Sequence, residues 1–209
     1  MKKILCNLTP PIVLTVLRKL KLSLQVLSAR GKIARSSKLH LACGTNIIDG
    51  WANIDLSNDA KVIKLDLTMP LPVSSETITF IYCEHFIEHI SFNQAKRLIS
   101  ECYRVLKPGG VLRVSTPSLR KLIDEYLAGR LSEWSNVGFC PSTPCHMMNE
   151  GMRSWGHEFI YDAAELTQIF IETGFSMITN VPWRESNYEE LNGLECRPFH
   201  DELILEGVK

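Results

Sequence analysis

Apolar positions follow two rhythms along this chain, and the change falls near residue 38. Between residues 12 and 29, Ile12, Leu14, Val16, Leu17, Leu20, Leu22, Leu24, Val26 and Leu27 sit among basic residues, the pattern of an imperfect amphipathic helix. From residue 38 onward, short apolar runs alternate with turn residues and helical stretches. The runs predict strands at 38–42, 52–56, 62–65, 78–82 and 111–115. A strongly periodic helix is predicted over 93–106, with Ala95, Leu98, Ile99, Cys102, Tyr103 and Leu106 on one face and Lys107-Pro108-Gly109-Gly110 as its stop. Further helices are expected at 119–127 and 162–173, and strands at 177–181 and 202–207. Strands alternating with helices imply an α/β fold around a parallel sheet. The stretch 129–158 has neither period and is rich in Trp, Pro, Cys, Met and His; a stretch of that length inside a compact domain reads as a lid-like insertion.

Composition changes this picture in two places. Formal net charge is zero, yet residues 1–48 carry nine Lys/Arg and no acid, against 14 basic and 23 acidic residues in the remainder. A basic amphipathic N-terminal arm (1–36) is thus set apart from a domain over 37–209, and peripheral contact with an anionic membrane surface is compatible with it. Its apolar run is broken by Arg18, Lys19 and Lys21, well short of the ~20 residues that span a bilayer. No small-residue cleavage site follows it, so secretion is not expected. Seven cysteines, an odd number spread over the whole chain without a CxxC pair, point to free thiols in a cytoplasmic setting.

Candidate chemistry sits where strands end. The first strand runs into Ala42-Cys43-Gly44, a small-residue turn that lets backbone approach a bound nucleotide-like cofactor at the carboxyl edge of a sheet. The second ends in Asp55, beside Leu56, and a carboxylate there can accept hydrogen bonds from both hydroxyls of a ribose. The third ends in Asp66-Leu67, an acid and an apolar residue suited to an adenine amino group and ring. Each carboxylate alone is as well explained as a cap or turn residue; three consecutive strands with such endings are not.

Leu-Ala-Cys-Gly-Thr (41–45), Asn-Ile-Asp-Leu (53–56), Leu-Asp-Leu (65–67), Ile-Tyr-Cys-Glu-His-Phe-Ile-Glu-His-Ile (81–90) and Glu-Cys-Tyr-Arg-Val-Leu-Lys-Pro-Gly-Gly-Val-Leu-Arg-Val (101–114) together resemble class I S-adenosylmethionine-dependent methyltransferases. The likeness is to the type 11 group associated with surface-polysaccharide synthesis, and it extends over roughly residues 38–209. It implies a Rossmann-like, doubly wound seven-stranded sheet of order 3-2-1-4-5-7-6 with one antiparallel strand, flanked by helices. It implies S-adenosylmethionine as cofactor, with Ala42, Cys43 and Gly44 forming the loop, Asp55 holding the ribose, Asp66 and Leu67 the adenine, and Tyr82, Cys83 and Glu84 the floor. The family turn has glycine at the positions of Ala42 and Asn46, and an acidic residue where this chain has His40.

A hydroxyl acceptor gains from a general base, and histidine suits that role near neutral pH. His85 is the favoured base, with His89 and His157 as alternatives, and the acceptor that the resemblance implies is a glycan hydroxyl or another small polar molecule. No metal ligand is assigned, and whether a divalent ion sits near Glu88 and His89 stays open. The competing reading, a degenerate cofactor-binding module regulating a partner such as a glycosyltransferase, rests on His40, Ala42 and Asn46. Nucleic acid is not an expected partner, since no aromatic-plus-basic stripe occurs. A nicotinamide-dependent dehydrogenase fails for want of a full G-x-G-x-x-G.

Overall fold

The computed structural model describes residues 26–131, 139–197 and 202–209. Most of the expected arm helix lies outside them; residues 26–33 are helical, and Ala29 and Ile33 enter the main core. The strands are β1 (Lys38–Leu41), β2 (Ala52–Asp55), β3 (Ile63–Lys64), β4 (Ile78–Glu84), β5 (Leu106–Thr116), β6 (Ser176–Asn180) and β7 (Leu203–Val208). They form one seven-stranded sheet in the order β3-β2-β1-β4-β5-β7-β6. β7 runs antiparallel to both β5 and β6, and the other pairings are parallel, as the resemblance implied.

Alternation along each strand gives the two faces different chemistry. Leu39, Leu41, Ile54, Ile81, Cys83, Leu112, Val114 and Leu205 make the dry face. Against it pack α1 (Phe92–Val105), through Ala95, Leu98, Ile99, Cys102 and Val105, and α4 (Ala163–Thr173), through Leu166, Ile169 and Phe170. Full burial of one such aliphatic side chain is worth roughly 1.5–3 kcal/mol, so these contacts, more than helix propensity, hold α1 in place. Ser91 and Gln94 close a capping box at its start, and Asp162 caps α4 by accepting from the Glu165 amide.

The opposite face carries a row of polar partners in register. Asn53 pairs with His40, His40 with Tyr82, Tyr82 with Arg113 and Arg113 with Glu206. All five are buried. Trp51, Tyr188, Leu191 and Leu194 pack on this side around Tyr82, Val111 and Val208. Arg113 is the hub: Nε donates to Glu195 at 2.6 Å, and Nη1 donates to Glu206 at 2.5 Å and to the Glu185 carbonyl at 2.8 Å. The row thus pins the 182–197 segment to the sheet.

Two sequence expectations are corrected here. Lys107-Pro108-Gly109-Gly110 does not cap α1, which ends at Val105; it lies within β5, where the register slips between Ile78 and Phe80 and the Gly109 amide donates to the Lys209 carbonyl. The stretch 129–158 is not irregular throughout either. After α2 (Leu119–Ala128) it contains α3 (Pro144–Arg153), with Pro in its first turn and Thr143 accepting from the His146 amide. Met147 of α3 is fully buried with Leu122 of α2 and Phe139. No helix of the described residues is long and apolar enough to cross a membrane.

Candidate active site

β1 leaves the sheet through Ala42, whose φ of +52° is left-handed, a region that costs a residue with a Cβ about 1–2 kcal/mol. Gly44 shares that φ, and a Cβ built there would meet no heavy atom within 4 Å, so space opens over the loop. Asp55 ties the loop to β2: Oδ2 accepts from the Gly44 amide at 3.0 Å and Oδ1 from the Ser57 amide at 3.0 Å. A carboxylate oxygen has a second lone pair, so both can still accept from a ligand hydroxyl. Leu56 beside it is 61% exposed. Asp66 lies at the surface, its Oδ1 accepting from the amide and hydroxyl of Thr68. Leu67 turns the other way and is packed in the core.

His40 stands beneath the loop, not at its mouth. Its ring is 1% exposed, lies 5.1 Å from the Tyr82 ring and contacts Asn53 Oδ1 at 3.1 Å through Nδ1. Asn53 Oδ1 is an acceptor that also takes the Ile48 amide, so Nδ1 carries the ring's proton. Burial pushes the His40 pKa down to about 4, so the ring is neutral. Tyr82 Oη is buried without a hydrogen-bond partner, and Cys83 faces the dry core. Glu84 accepts from the amides of Cys196 and Arg197 at 3.0 and 3.1 Å and faces Cys196 Sγ at 3.1 Å. The 196–197 backbone therefore closes the floor at the end of β4.

Beyond Glu84 the chain turns sharply at His85, φ +50°, and forms a 3-10 turn over Ile87–His89. That turn sends Glu88 inward and His89 to the surface. His85 lies between two carboxylates, with Nε2 2.7 Å from Glu202 Oε1 and Nδ1 3.2 Å from Glu88 Oε1. Ser115 Oγ donates to Glu202 Oε2, and Thr116 Oγ1 donates to Glu88 Oε2 at 2.9 Å. Burial opposes charge on His85, but Glu202 and then Glu88 outweigh it and raise the pKa to about 9. His85 therefore keeps its proton at neutral pH with both nitrogens engaged, and it does not fit the general-base role the sequence favoured.

The carbonyl of Glu88 accepts from the amides of Glu158 and Phe159, which brings His157 to this turn. His89 and His157 face each other, ring centroids 4.9 Å apart. His157 Nδ1 donates to the Gly151 carbonyl at 2.9 Å, so the neutral ring carries its lone pair on Nε2; partial burial lowers its pKa. His146 lies apart, against Ser142. Sequence reasoning did not find Ser115, Thr116, Cys196, Arg197 or Glu202 as parts of this site. Glu202 is 117 residues from the histidine it holds, and no spacing rule joins such pairs.

Residues 39–114, from β1 to β5 and so across the loop, Asp55, Asp66 and the β4 turn, match the family described as a methyltransferase domain. Residues 39–114 thus carry the sequence pattern of a methyltransferase domain. The chain's fold is similar to that of a SAM-dependent methyltransferase from Archaeoglobus fulgidus, at 16% identity and a TM-score of 0.52, over 86% of this chain and 89% of that one. It is also similar to a possible exported protein from Bordetella parapertussis, at 11% identity and a TM-score of 0.50, over 90% and 67% of the two chains. Comparison with curated protein sequences gives no match. The residues here fit the S-adenosylmethionine that the resemblance implied: open space over Gly44, an exposed Leu56, and carboxylates at the end of β2 and after β3. The ammonium of the cofactor finds no carboxylate at His40.

Proposed function

We propose that this methyltransferase methylates a hydroxyl oxygen of a small polar acceptor, a glycan hydroxyl foremost, entering between the His85–His89 turn and the 139–159 segment. Asp55 holds the ribose of the cofactor, Asp66 its adenine, and the Ala42–Gly44 backbone its approach. When bound, S-adenosylmethionine supplies a methyl group on a sulfonium, open to in-line displacement. What this chain adds is position and a destination for the hydroxyl proton. The observation that carries the reading is the His89–His157 pair beside buried Glu88, with His157 Nε2 as its free lone pair. His85, charged and clamped between Glu88 and Glu202, holds the turn rather than taking the proton. The basic arm, with its charge confined to residues 1–48, supports a lipid-linked acceptor at an anionic membrane face.

The test is transfer of labelled methyl from S-adenosylmethionine to a panel of nucleotide sugars, free sugars and amines. A product stable to base, as an ether is, from sugars alone is the expected result. Transfer to amine nitrogen alone would overturn the acceptor class while leaving the enzyme intact.

A further inference from the structure

We propose that a cleft at the amino edge of the sheet binds the phosphate headgroup of an anionic phospholipid and so fixes this chain on a membrane surface. The inference is independent of which acceptor is methylated, and it is read without turnover. The cleft has a volume of about 420 Å³ and lies between the helix over residues 26–33 and the 72–77 segment, beside the first residue of β4. The Ala42–Gly44 loop and the His85–His89 turn stand at the opposite, carboxyl edge, so the cleft belongs to neither half of the site proposed above.

Its walls are held from behind. Ile33 and Ile78, both 1% exposed, form an apolar floor. On one side Arg104 of α1 donates to the carbonyls of Val73 at 2.8 Å and Leu71 at 3.0 Å, and Glu101 meets its charge at 2.7 Å. The amides of Glu76 and Thr77 donate to the carbonyls of Arg104 and Val105. On the other side the amides of Ala34 and Ser36 donate to the carbonyls of Arg30 and Ile33. The cleft is therefore formed before a ligand enters, which lowers the ordering cost of binding.

Arg30, Arg35, Ser37 and Ser74 line it, and no acid does. Among the described residues, none of these four side chains has a hydrogen-bond or ionic partner. Guanidinium forks match the oxygens of a phosphate, and the hydroxyls add donors beside them. Three observations favour a lipid over a free phosphate. The apolar floor offers nothing to an inorganic anion but suits the glycerol and first methylenes of a lipid. Leu27, 62% exposed, lies one helical turn before Arg30 and sets an apolar side chain beside the cationic one. The 25 residues that lead into this helix carry Lys2, Lys3, Arg18, Lys19 and Lys21 and no acid, with apolar positions from Ile12 to Leu24. Stable attachment to a membrane takes two signals, and the basic arm and the headgroup cleft are two.

Sedimentation of the full chain with vesicles tests this, using phosphatidylcholine alone and phosphatidylcholine with about a third phosphatidylglycerol. Binding to the anionic vesicles only is expected. Ser74→Asp sets a carboxylate in the cleft at an exposed turn, and it should weaken binding at least tenfold with circular dichroism unchanged. Arg30→Gln with Arg35→Gln should do the same. Lys19→Gln with Lys21→Gln, an arm pair of equal charge loss, should weaken it by a smaller factor. Equal losses from the two pairs overturn the cleft, as does a Ser74→Asp chain that binds like the natural one, since diffuse charge would then suffice. Binding to both kinds of vesicle, or to neither, overturns it too. Calorimetry with a soluble short-chain phosphatidylglycerol separates the sources of phosphate. Heat that disappears in Ser74→Asp supports the lipid, whereas inorganic phosphate or an oligonucleotide bound as tightly gives the cleft to another ligand and overturns the proposal.

Discussion

At the scale of single residues, the chain departs most from the methyltransferase pattern it resembles at Ala42 and His40, and the structure gives each a physical meaning. Ala42 holds φ +52° with a methyl group that glycine would lack. Ala42→Gly should raise stability by about 1 kcal/mol, a relieved left-handed strain partly offset by the greater freedom of glycine in the unfolded chain. Urea denaturation checks this, and a fall in the midpoint would mean that the methyl group packs usefully against the core. His40 is buried neutral, its pKa depressed from 6.5 to about 4. Between those values the unfolded chain binds the proton and the folded one does not, so the contribution is complete above pH 6.5 and lost as pH falls toward 4. A gap of that size is worth about 3 kcal/mol. Melting curves at pH 7 and pH 4.5 should therefore show a smaller acid loss for His40→Gln than for the natural chain; equal losses would place the acid sensitivity elsewhere.

At the scale of elements, what could be read from the chain depended on whether its cause was local. The faces of α1 and α4 follow from 3.6-residue spacing, and their observed bounds lie within a residue or so of those expected. The mistake at Lys107-Pro108-Gly109-Gly110 has a tertiary cause: these residues look like a helix stop, but the backbone of Lys209 pairs with Gly109 and Gly110 and draws the segment into the sheet. α3 was overlooked because Trp, Pro and Cys around it hid a signal that was present, Thr143 followed by Pro144. The polar row was visible as one polar position in each of five strands, but its meaning needs the strand order, which aligns them. That row makes a sharp prediction. Arg113→Met leaves Glu195 and Glu206 buried and facing each other without their cation, at a cost of about 3–5 kcal/mol. Adding Glu195→Gln and Glu206→Gln should recover part of it, because the loss lies in uncompensated charge more than in a missing bond. Denaturant midpoints of the two variants decide: no recovery in the triple variant would mean that the pinning of 182–197, not charge, is what Arg113 supplies.

For the whole molecule, the two halves of the proposed site differ in how they are built, and this explains why the sequence suggested one fully and the other only in part. The proposed cofactor half comes from consecutive strand ends, β1, β2 and the turn after β3, each close in sequence to the next, so Gly44, Asp55 and Asp66 could be proposed for it from the chain alone. The acceptor half joins the β4 turn to β7 and to the 157–159 segment, over separations that only folding bridges. One consequence is that the cofactor half should bind its ligand independently of the acceptor half. S-adenosylhomocysteine at one hundred times its Kd should stabilise the folded chain by about 2.7 kcal/mol. For a chain of this length that is a rise in Tm of about 5–10 °C. Asp55→Ala removes both the acceptor for ribose hydroxyls and the tie to the Gly44 amide, so it should abolish most of the rise at the same ligand concentration. His157→Ala, in the other half, should leave the rise unchanged. Thermal scans of the three proteins with and without the ligand make the comparison. If His157→Ala erased the shift as fully as Asp55→Ala, the two halves would form one cooperative unit, and the 139–159 segment would belong to the cofactor's enclosure as well as the acceptor's.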